Sequence, residues 1–467
     1  MTTDEVTAQP AARPAVSRRS LTLGLCTTTV AIAFEVIAVA TAMPAAARQL
    51  DGLAYYAWCF SLFVIGMLFA TVVGGRLCDR IGPAMPLLAG LVIFAAGLVV
   101  AGTAQHMAQL VGGRLVQGLG SGVMNTAMFV CVAQAYPARE RPRMFSYISM
   151  AWVLPSFLGP PVSAWLTHAL SWHWVFFAVL PLVAAGGAMV LPSLRRMMRS
   201  YEQSDEEPAD RPASLWAAGL VALAAAGIQL AGQRLDWLGA ILLAGGLAGL
   251  VVGLPRLMPP GFLRLRRGLA AVIMVRGLLP GAFFGAEAFL PLMLVEQRHL
   301  PLIIAGAMLT VGSVGWTAGS WLQSRHWIAI RRDRLITCGC ASVAVGVAMI
   351  AVAAALPWLW LGLVVLGWVF AGLGMGLSIS SSSLAVITLS DASVQGRNAS
   401  SLNVFDALGS AIFVGIGGTL FAALHPGGRL GLTYGVVLAA MTAVGLLSVA
   451  TSLRIGPVRN EFAGQTD

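Results

Sequence analysis

The sequence predicts an all-α integral membrane protein with fourteen transmembrane helices, arranged as two six-helix bundles plus two inserted helices. Its composition supports the membrane class, because 58% of the 467 residues are hydrophobic and 10% are charged, whereas soluble domains carry about 25% charged residues. Apolar runs of about 20 residues, the length that spans the hydrocarbon core, recur along the whole chain. A repeated glycine pattern divides these runs into two comparable groups.

The apolar runs define the fourteen predicted spans. They lie at residues 21–46, 53–75, 84–104, 108–135, 144–168, 174–194, 214–231, 237–254, 268–295, 302–323, 335–355, 358–388, 398–424 and 431–453. The segment S-R-R-S-L-T-L-G-L (17–25) also resembles a twin-arginine export signal. The apolar run after it is longer than the 7–15 residues of a signal peptide, so we interpret this run as the first span.

The arginines predict how the spans are oriented. Twenty-three arginines lie in tails and loops on the side of the two termini, and four lie in the opposite loops. Basic residues accumulate on the cytoplasmic side of membrane proteins, so we expect a multi-pass protein of the cell membrane with both termini in the cytoplasm. The net charge of +10 therefore indicates topology and contact with anionic lipid, and we expect no nucleic-acid partner.

A glycine pattern recurs in the two halves of the chain. The fourth predicted span contains Q-G-L-G-S-G-V (117–123), and the twelfth contains A-G-L-G-M-G-L (371–377). Each is the fourth helix of its group if 214–254 is an insertion, and internal repeats are typical of transporters. The predicted regions are a cytoplasmic tail (1–20), a six-helix bundle (21–194), a cytoplasmic linker (195–213), two inserted helices (214–254), a basic cytoplasmic loop (255–267), a second six-helix bundle (268–455) and a cytoplasmic tail (456–467).

The segment after the second predicted span reads G-G-R-L-C-D-R-I-G-P (74–83). It resembles the signature loop of the major facilitator superfamily, Gly-x-Leu-x-Asp-Arg-x-Gly-Arg. The matching positions are Gly75, Leu77, Asp79, Arg80 and Gly82. The resemblance implies the major facilitator fold and a gating role for Gly75, Asp79, Arg80 and Gly82. Glycine allows close backbone approach, and Asp79 can meet a helix N-terminus or a cytoplasmic arginine; the alternative is a merely solvated turn.

Two further spans resemble conserved helices of the superfamily and its antiporters. In the fourth span, R-L-V-Q-G (114–118) resembles the Arg-x-x-x-Gly helix through Arg114 and Gly118, with Gln117 as is common in drug exporters. In the fifth span, L-P-S-F-L-G-P-P (154–161) resembles the antiporter motif through Gly159 and Pro160. The resemblance implies a gating or conformational role for Gly118, Gly159 and Pro160. The first glycine of that motif is replaced by proline here, which weakens the antiporter assignment more than the superfamily assignment.

The first span carries a resemblance to the fourteen-span drug:proton antiporters. Residues E-V-I-A-V-A-T-A-M-P (35–44) are similar to the motif Asp-x-Thr-x-x-Asn-x-Ala-x-Pro. Glu35 stands nine residues before Pro44, as the family's aspartate does. With this motif the resemblance covers nearly the whole chain in the order and number of its spans.

Five ionisable side chains fall inside the predicted spans, namely Glu35, Arg114, Arg276, Glu287 and Asp406. Such residues are functional candidates by default, because inserting a charge costs roughly 2.5–3.5 kcal/mol. We predict that Glu35, paired with Arg114, is the main proton-coupling site, since burial favours a protonated carboxyl and a nearby arginine favours an ionised one. Glu287 and Asp406 are further proton-coupling candidates, with gating or helix packing as the alternatives. Arg276 lies about 16 Å below Glu287 along the same helix, so we expect no direct pair.

A cavity that accepts cations needs aromatic and methionine surfaces that can repack. The candidates in the spans are Trp58, Phe63, Gln117, Met124, Asn125, Trp152, Phe289, Met293 and Asn403. The six cysteines lie in or at the ends of apolar runs and are interpreted as apolar filler. The six histidines lie in or near predicted loops, so we expect no metal site and no other cofactor.

The sequence therefore predicts a proton-coupled secondary transporter, a multidrug efflux antiporter that works by alternating access. Its partners would be protons, a small lipophilic or cationic substrate and the bilayer, and we expect a monomer. One alternative is an exporter of a specific endogenous metabolite or lipid on the same scaffold, and another is a non-transporting receptor or scaffold. An enzyme is not expected, because the spans show no catalytic cluster and the serine run S-I-S-S-S-S (378–383) has no base nearby.

Overall fold

The computed structural model describes most of the chain. The described residues are 18–137, 140, 144, 147–148, 150–201, 214–232, 234, 236–259, 261–323, 325, 330–390 and 395–458. Their regular structure is helical, and no strand occurs among them. Most of the two predicted tails and residues 202–213 of the predicted linker lie outside this part of the chain.

Fifteen α-helices are assigned within the described residues. They are α1 (Arg18–Gln49), α2 (Trp58–Ile81), α3 (Ala84–Gly102), α4 (Met107–Ala135), α5 (Val153–Ala169), α6 (His173–Phe177), α7 (Leu180–Tyr201), α8 (Leu215–Gly232), α9 (Trp237–Leu257), α10 (Leu269–Glu296), α11 (Leu302–Gln323), α12 (Arg332–Ala355), α13 (Gly362–Thr388), α14 (Gln395–Leu424) and α15 (Leu430–Ser452). We call the end of the molecule at which α1 begins the tail end, and the opposite end the far end.

Thirteen segments of the described chain are long and apolar enough to cross a membrane, with α6 and α7 together forming one of them. The remaining predicted span, the fifth (144–168), corresponds to α5, which has 17 residues. The all-helical class of the prediction is confirmed, and the chain is a multi-pass membrane protein.

Two predicted spans end several residues before the corresponding helices do. Helix α2 continues to Ile81, so most of the predicted signature loop is helical, and Gly82 ends the helix with a φ of 74°. A positive φ is strained for a residue with a side chain, and glycine adopts it readily. Helix α7 continues to Tyr201, past the predicted end at 194, because the added residues include no glycine or proline to interrupt it.

The glycines of α4 set its distance to two neighbouring helices. A Cβ atom at Gly118 would fall on the backbone carbonyl of Phe63 in α2, and one at Gly122 would fall on that of Met67. Between them, a Cβ at Gly120 would lie 2.8 Å from the carbonyl oxygen of Gly90 in α3. Rows of small residues let helices approach closely in lipid, so α4 lies wedged between α2 and α3.

Helix α13 makes the same contacts in the second half of the chain. Gly372 and Gly376 lie against the carbonyls of Gly312 and Trp316 in α11, and Gly374 lies against that of Gly339 in α12. The glycines of α4 and α13 are 254 positions apart, and their contact residues in α2 and α11, and in α3 and α12, are 249 positions apart. This constancy supports the interpretation of two equivalent helix groups, which we call the first group (α1–α7) and the second group (α10–α15).

Helices α8 and α9 occupy the position of the predicted insertion. They pack against each other, and Asp236 caps the start of α9 by accepting a hydrogen bond of 2.8 Å from the Gly239 amide. Helix α8 also contacts both groups: Gly219 faces Phe69 of α2, and Gln229 faces Gly415 of α14. The pair therefore flanks the boundary between the groups.

Candidate functional site

The first site is an ion pair at the middle of α1. Arg114 of α4 donates a hydrogen bond to the Glu35 carboxylate, and the two side chains are 2% and 0% exposed. Arg114 also donates to the Cys59 carbonyl oxygen at 2.8 Å and to the Gln117 side chain at 2.7 Å. The Phe63 ring lies 4.4 Å from the guanidinium carbon. Groups from α1, α2 and α4 therefore hold the arginine in place.

The sequence explains why this pair can form. Arg114 and Gln117 are three residues apart and so share one face of α4, and Gly118 beside them lets α2 approach. The second carboxylate oxygen of Glu35 is buried and has no hydrogen-bond partner among the described residues. A buried charge pair is stable only when its remaining polar atoms are also satisfied. This oxygen is therefore the atom of the pair best placed to take up a proton.

A second ion pair joins α10 to α14, and sequence reasoning missed it. Arg276 donates to Asp406 at 2.9 Å, with side chains 10% and 25% exposed. Arg276 further donates to the Ile379 carbonyl at 2.8 Å and to Ser382 and Ser383 at 3.0 and 3.2 Å. The serine run of α13, for which the sequence indicated no catalytic role, thus supplies hydrogen-bond acceptors to Arg276. A run of hydroxyl side chains inside a span was the sequence feature that could have predicted a buried cation nearby.

The third predicted acid, Glu287, is placed differently. It lies on α10 about 7 Å from the helix midpoint toward the far end, and its side chain is half-buried. It forms no hydrogen bond or ion pair with another described residue. From Pro280 and Gly281 in the sequence we expect a break or a kink in this helix; the structure shows no break, because α10 continues through both residues.

The predicted cavity residues divide into two sets by burial. Five are packed within the helix bundles, and four are half-buried or exposed. The packed residues are Phe63, Gln117, Met124, Phe289 and Met293, and the others are Trp58, Asn125, Trp152 and Asn403. Met124 lies against Gly90 of α3, and Phe289 lies against Tyr56 and Phe421 with ring centroids 5.6 and 5.5 Å apart. The packed five do not line open space in this structure, because neighbouring helices cover them.

The predicted gating residues lie in three places. Asp79 and Arg80 are exposed in the last turn of α2 at the tail end, and Gly82 follows them. The predicted close approach at Gly75 is wrong, because a Cβ there would meet a single atom at 3.9 Å; it is Gly74 that lies against α4. Gly118 faces α2, whereas Gly159 and Pro160 are buried in α5, where Gly159 faces α1.

Polar contacts between the two groups occur at the far end. Arg48 at the end of α1 lies 3.6 Å from Glu296 at the end of α10, and the Tyr56 hydroxyl donates to the Ala288 carbonyl at 2.6 Å. Glu296 also accepts a hydrogen bond of 2.5 Å from Tyr434 and lies 3.4 Å from His425. Among the described residues, the Arg48–Glu296 pair and the Tyr56–Ala288 hydrogen bond are the polar contacts that connect the two groups. The structure is thus closed at the far end.

Two equivalent helix groups around buried ion pairs define a membrane transporter architecture. The sequence model of the Major Facilitator Superfamily matches residues 23–414. The chain therefore belongs to the Major Facilitator Superfamily, a family of transporters, which confirms the resemblance. Among the described residues no group of three or more His, Cys, Asp or Glu side chains could hold a metal ion.

Curated relatives match parts of the chain. Multidrug resistance protein 3 of Bacillus subtilis is 30% identical over 225 residues, which cover 47% of this chain and 42% of that protein. Multidrug transporter protein MdtP of Bacillus subtilis is 28% identical over 144 residues, 31% of this chain and 27% of that protein. Efflux pump roqT of Penicillium rubens is 29% identical over 172 residues, 37% and 32% of the two chains. Each match spans less than half the length of the relative.

Solved structures match over nearly the full length. A POT family transporter in complex with 5-aminolevulinic acid superposes with a TM-score of 0.69 at 15% identity, covering 94% of this chain and 97% of that chain. A peptide transporter POT in complex with sulfate gives a TM-score of 0.68 at 16% identity, covering 94% and 95%. At this identity the likeness establishes the fold alone.

Proposed function

We propose that this protein is a proton-coupled multidrug efflux antiporter that works by alternating access. The observation that carries the proposal is the buried Glu35–Arg114 pair at the centre of a spanning helix, in which one carboxylate oxygen has no partner among the described residues. Its relatives include proteins named as multidrug transporters and an efflux pump. The arginine distribution supports a cell-membrane location with both termini in the cytoplasm.

Protonation of Glu35 provides the coupling step. A proton on the free oxygen removes the negative charge that opposes Arg114, so the ion pair is replaced by a neutral carboxyl beside a buried cation. Arg114 then depends on the Cys59 carbonyl and Gln117. Because these acceptors belong to α2 and α4, the hold on α1 weakens. Binding of a substrate and binding of a proton would favour different arrangements of the first group, which makes the two compete.

Alternating access requires the groups to part at the far end. The contacts that must break include the Arg48–Glu296 pair, the Tyr56–Ala288 hydrogen bond and the ring contact between Tyr56 and Phe289. The Arg48–Glu296 pair is partly exposed, and such ion pairs contribute about 0–1 kcal/mol. This pair therefore opposes opening of the far end only weakly, whereas the buried contacts of Tyr56 must be compensated when the groups part.

Transport in proteoliposomes tests the proposal. The purified protein is reconstituted with an imposed pH gradient, and accumulation of cationic dyes is recorded together with lumenal pH. We expect dye movement against its own gradient, with protons moving in the opposite direction, and loss of both when an ionophore collapses the pH gradient. Dye movement that ignores the pH gradient would overturn proton coupling, and movement of lipid but no dye would favour the alternative of a lipid exporter.

Replacement of Asp79 by Asn tests the signature segment. Asp79 is exposed at the tail end of α2, where its charge can stabilise one closed arrangement. We expect D79N to lower substrate turnover by roughly a factor of ten, the size of a typical conformational coupling, while substrate affinity stays within about twofold. Asp79→Glu keeps the charge and should recover most of the turnover. Wild-type turnover in D79N would remove Asp79 from the gating residues.

A further inference from the structure

The second group carries an aromatic pair where the first group carries its ion pair. Trp368 of α13 stands 254 positions after Arg114, the same offset that relates Gly118 to Gly372. The Trp368 ring stacks on Phe283 of α10 with centroids 4.6 Å apart and an interplanar angle of 14°. Phe283 lies at the middle of α10, as Glu35 lies at the middle of α1. The internal repeat is therefore chemically asymmetric at its centre.

A carboxylate that has no partner among the described residues, that of Glu287, lies one turn from this aromatic pair. Phe283 and Phe284 precede Glu287 by four and three residues, so all three side chains share one face of α10. Trp316 of α11 extends the aromatic surface, with its ring centroid 5.6 Å from that of Phe283 and 6.4 Å from that of Phe284. Glu287 therefore lies one helical turn from Phe284, which together with Trp316 forms an aromatic surface built from two helices.

The exposure of these residues indicates which part of the surface a ligand can reach. Phe283 and Trp368 are buried, whereas Phe284, Glu287 and Trp316 are half-buried. Glu35, Asp406 and Glu296 each have an arginine partner, but Glu287 has no polar partner among the described residues. An ionisable group within a membrane span needs a partner to offset its insertion cost.

We propose that Glu287, Phe284 and Trp316 form a binding site for a lipophilic organic cation. Glu287 supplies the counter-charge, and the two rings supply apolar contact and cation–π attraction. This site rests on the proposed function for the class of substrate, but it does not require proton coupling. It moves Glu287 from the proton-coupling residues to the substrate site, so that protons bind in the first group and the cation binds in the second.

Direct binding of tetraphenylphosphonium to the purified full-length protein tests the site without transport. We expect Glu287→Gln to weaken the affinity at least tenfold and Glu287→Asp to keep part of it. Trp316→Leu should weaken binding severalfold, whereas Trp316→Phe should bind nearly as well as the wild type. The control is Asp51→Asn, which removes an exposed acid in the turn after α1 that belongs to neither ion pair nor to the far-end contacts; its affinity should not change.

Nile red, a neutral lipophilic dye, separates charge recognition from loss of structure. Glu287→Gln should bind it as the wild type does. Equal losses for Nile red and tetraphenylphosphonium, or wild-type tetraphenylphosphonium affinity in Glu287→Gln, would overturn the site. Failure of the proposed function has a different signature, because tetraphenylphosphonium would then bind through Glu287 while no protons move in proteoliposomes.

Discussion

Replacing Glu35 by Gln is expected to reduce substrate-coupled proton movement to the level of protein-free liposomes. Glutamine matches glutamate in size and can still accept a hydrogen bond from Arg114, so the helices should keep their arrangement. It cannot take up a proton, however, and it offers Arg114 no charge. The buried arginine then has neutral acceptors in every state, namely the introduced glutamine, the Cys59 carbonyl and Gln117, so protonation no longer distinguishes one state from another.

The measurement is lumenal pH in proteoliposomes during substrate uptake, with binding of the substrate recorded in parallel. Asp51→Asn is the matched control, because Asp51 is an exposed acid in the turn after α1. Its φ is 47°, a left-handed conformation that asparagine also tolerates. Coupling of wild-type size in Glu35→Gln would exclude Glu35 as the coupling residue and would direct attention to Asp406.

Adding one methyl group at Gly118 is expected to destabilise the protein by about 3 kcal/mol or more. The Cβ of Gly118→Ala would overlap the backbone carbonyl of Phe63, and a backbone cannot rotate away as a side chain can. Overpacking a close helix contact typically costs about 1–3 kcal/mol, and more when the neighbour cannot yield. The same substitution at Gly372 should have a similar effect, because it overlaps the carbonyl of Gly312.

Thermal unfolding and size-exclusion profiles in detergent measure this effect. Gly112→Ala is the control on the same helix, since no heavy atom lies within 4 Å of a Cβ at that position. It should leave stability unchanged or raise it by up to about 1 kcal/mol, because alanine is a better helix former than glycine. Equal stability of Gly118→Ala and Gly112→Ala would show that α4 and α2 are less closely packed than in the structure.

The positions of the helices were the most predictable part of the fold. Helix α11 was predicted at 302–323 and is observed at Leu302–Gln323, because polar residues and proline interrupt the apolar sequence at both ends. The contact between Glu35 and Arg114 could also be predicted, since few ionisable residues compete for partners inside the spans. The error at α2 arose because Arg76, Asp79 and Arg80 ended the apolar run but did not end the helix.

The direction in which each helix faces could not be predicted. In a soluble protein an apolar stripe marks the buried face, but in a membrane the lipid-facing and the interior-facing sides are both apolar. Met124 and Phe289 were therefore chosen by residue type, and both proved to be packed between helices. Arg276 and Asp406 were each noticed as charges, but their pairing depends on the rotation of α10 and α14 about their axes, which the sequence does not record.

The change of offset from 249 to 254 positions between the two groups has a consequence for sequence alignment. The five additional residues enter at the far end, where α12 and the turn before α13 are longer than α3 and the turn before α4. An alignment of the two halves without a gap at this turn would place Arg114 opposite Leu363 in place of Trp368. Such an alignment would not show that Trp368 occupies the position of Arg114. The replacement of an ion pair in the first group by an aromatic stack in the second group would therefore be missed.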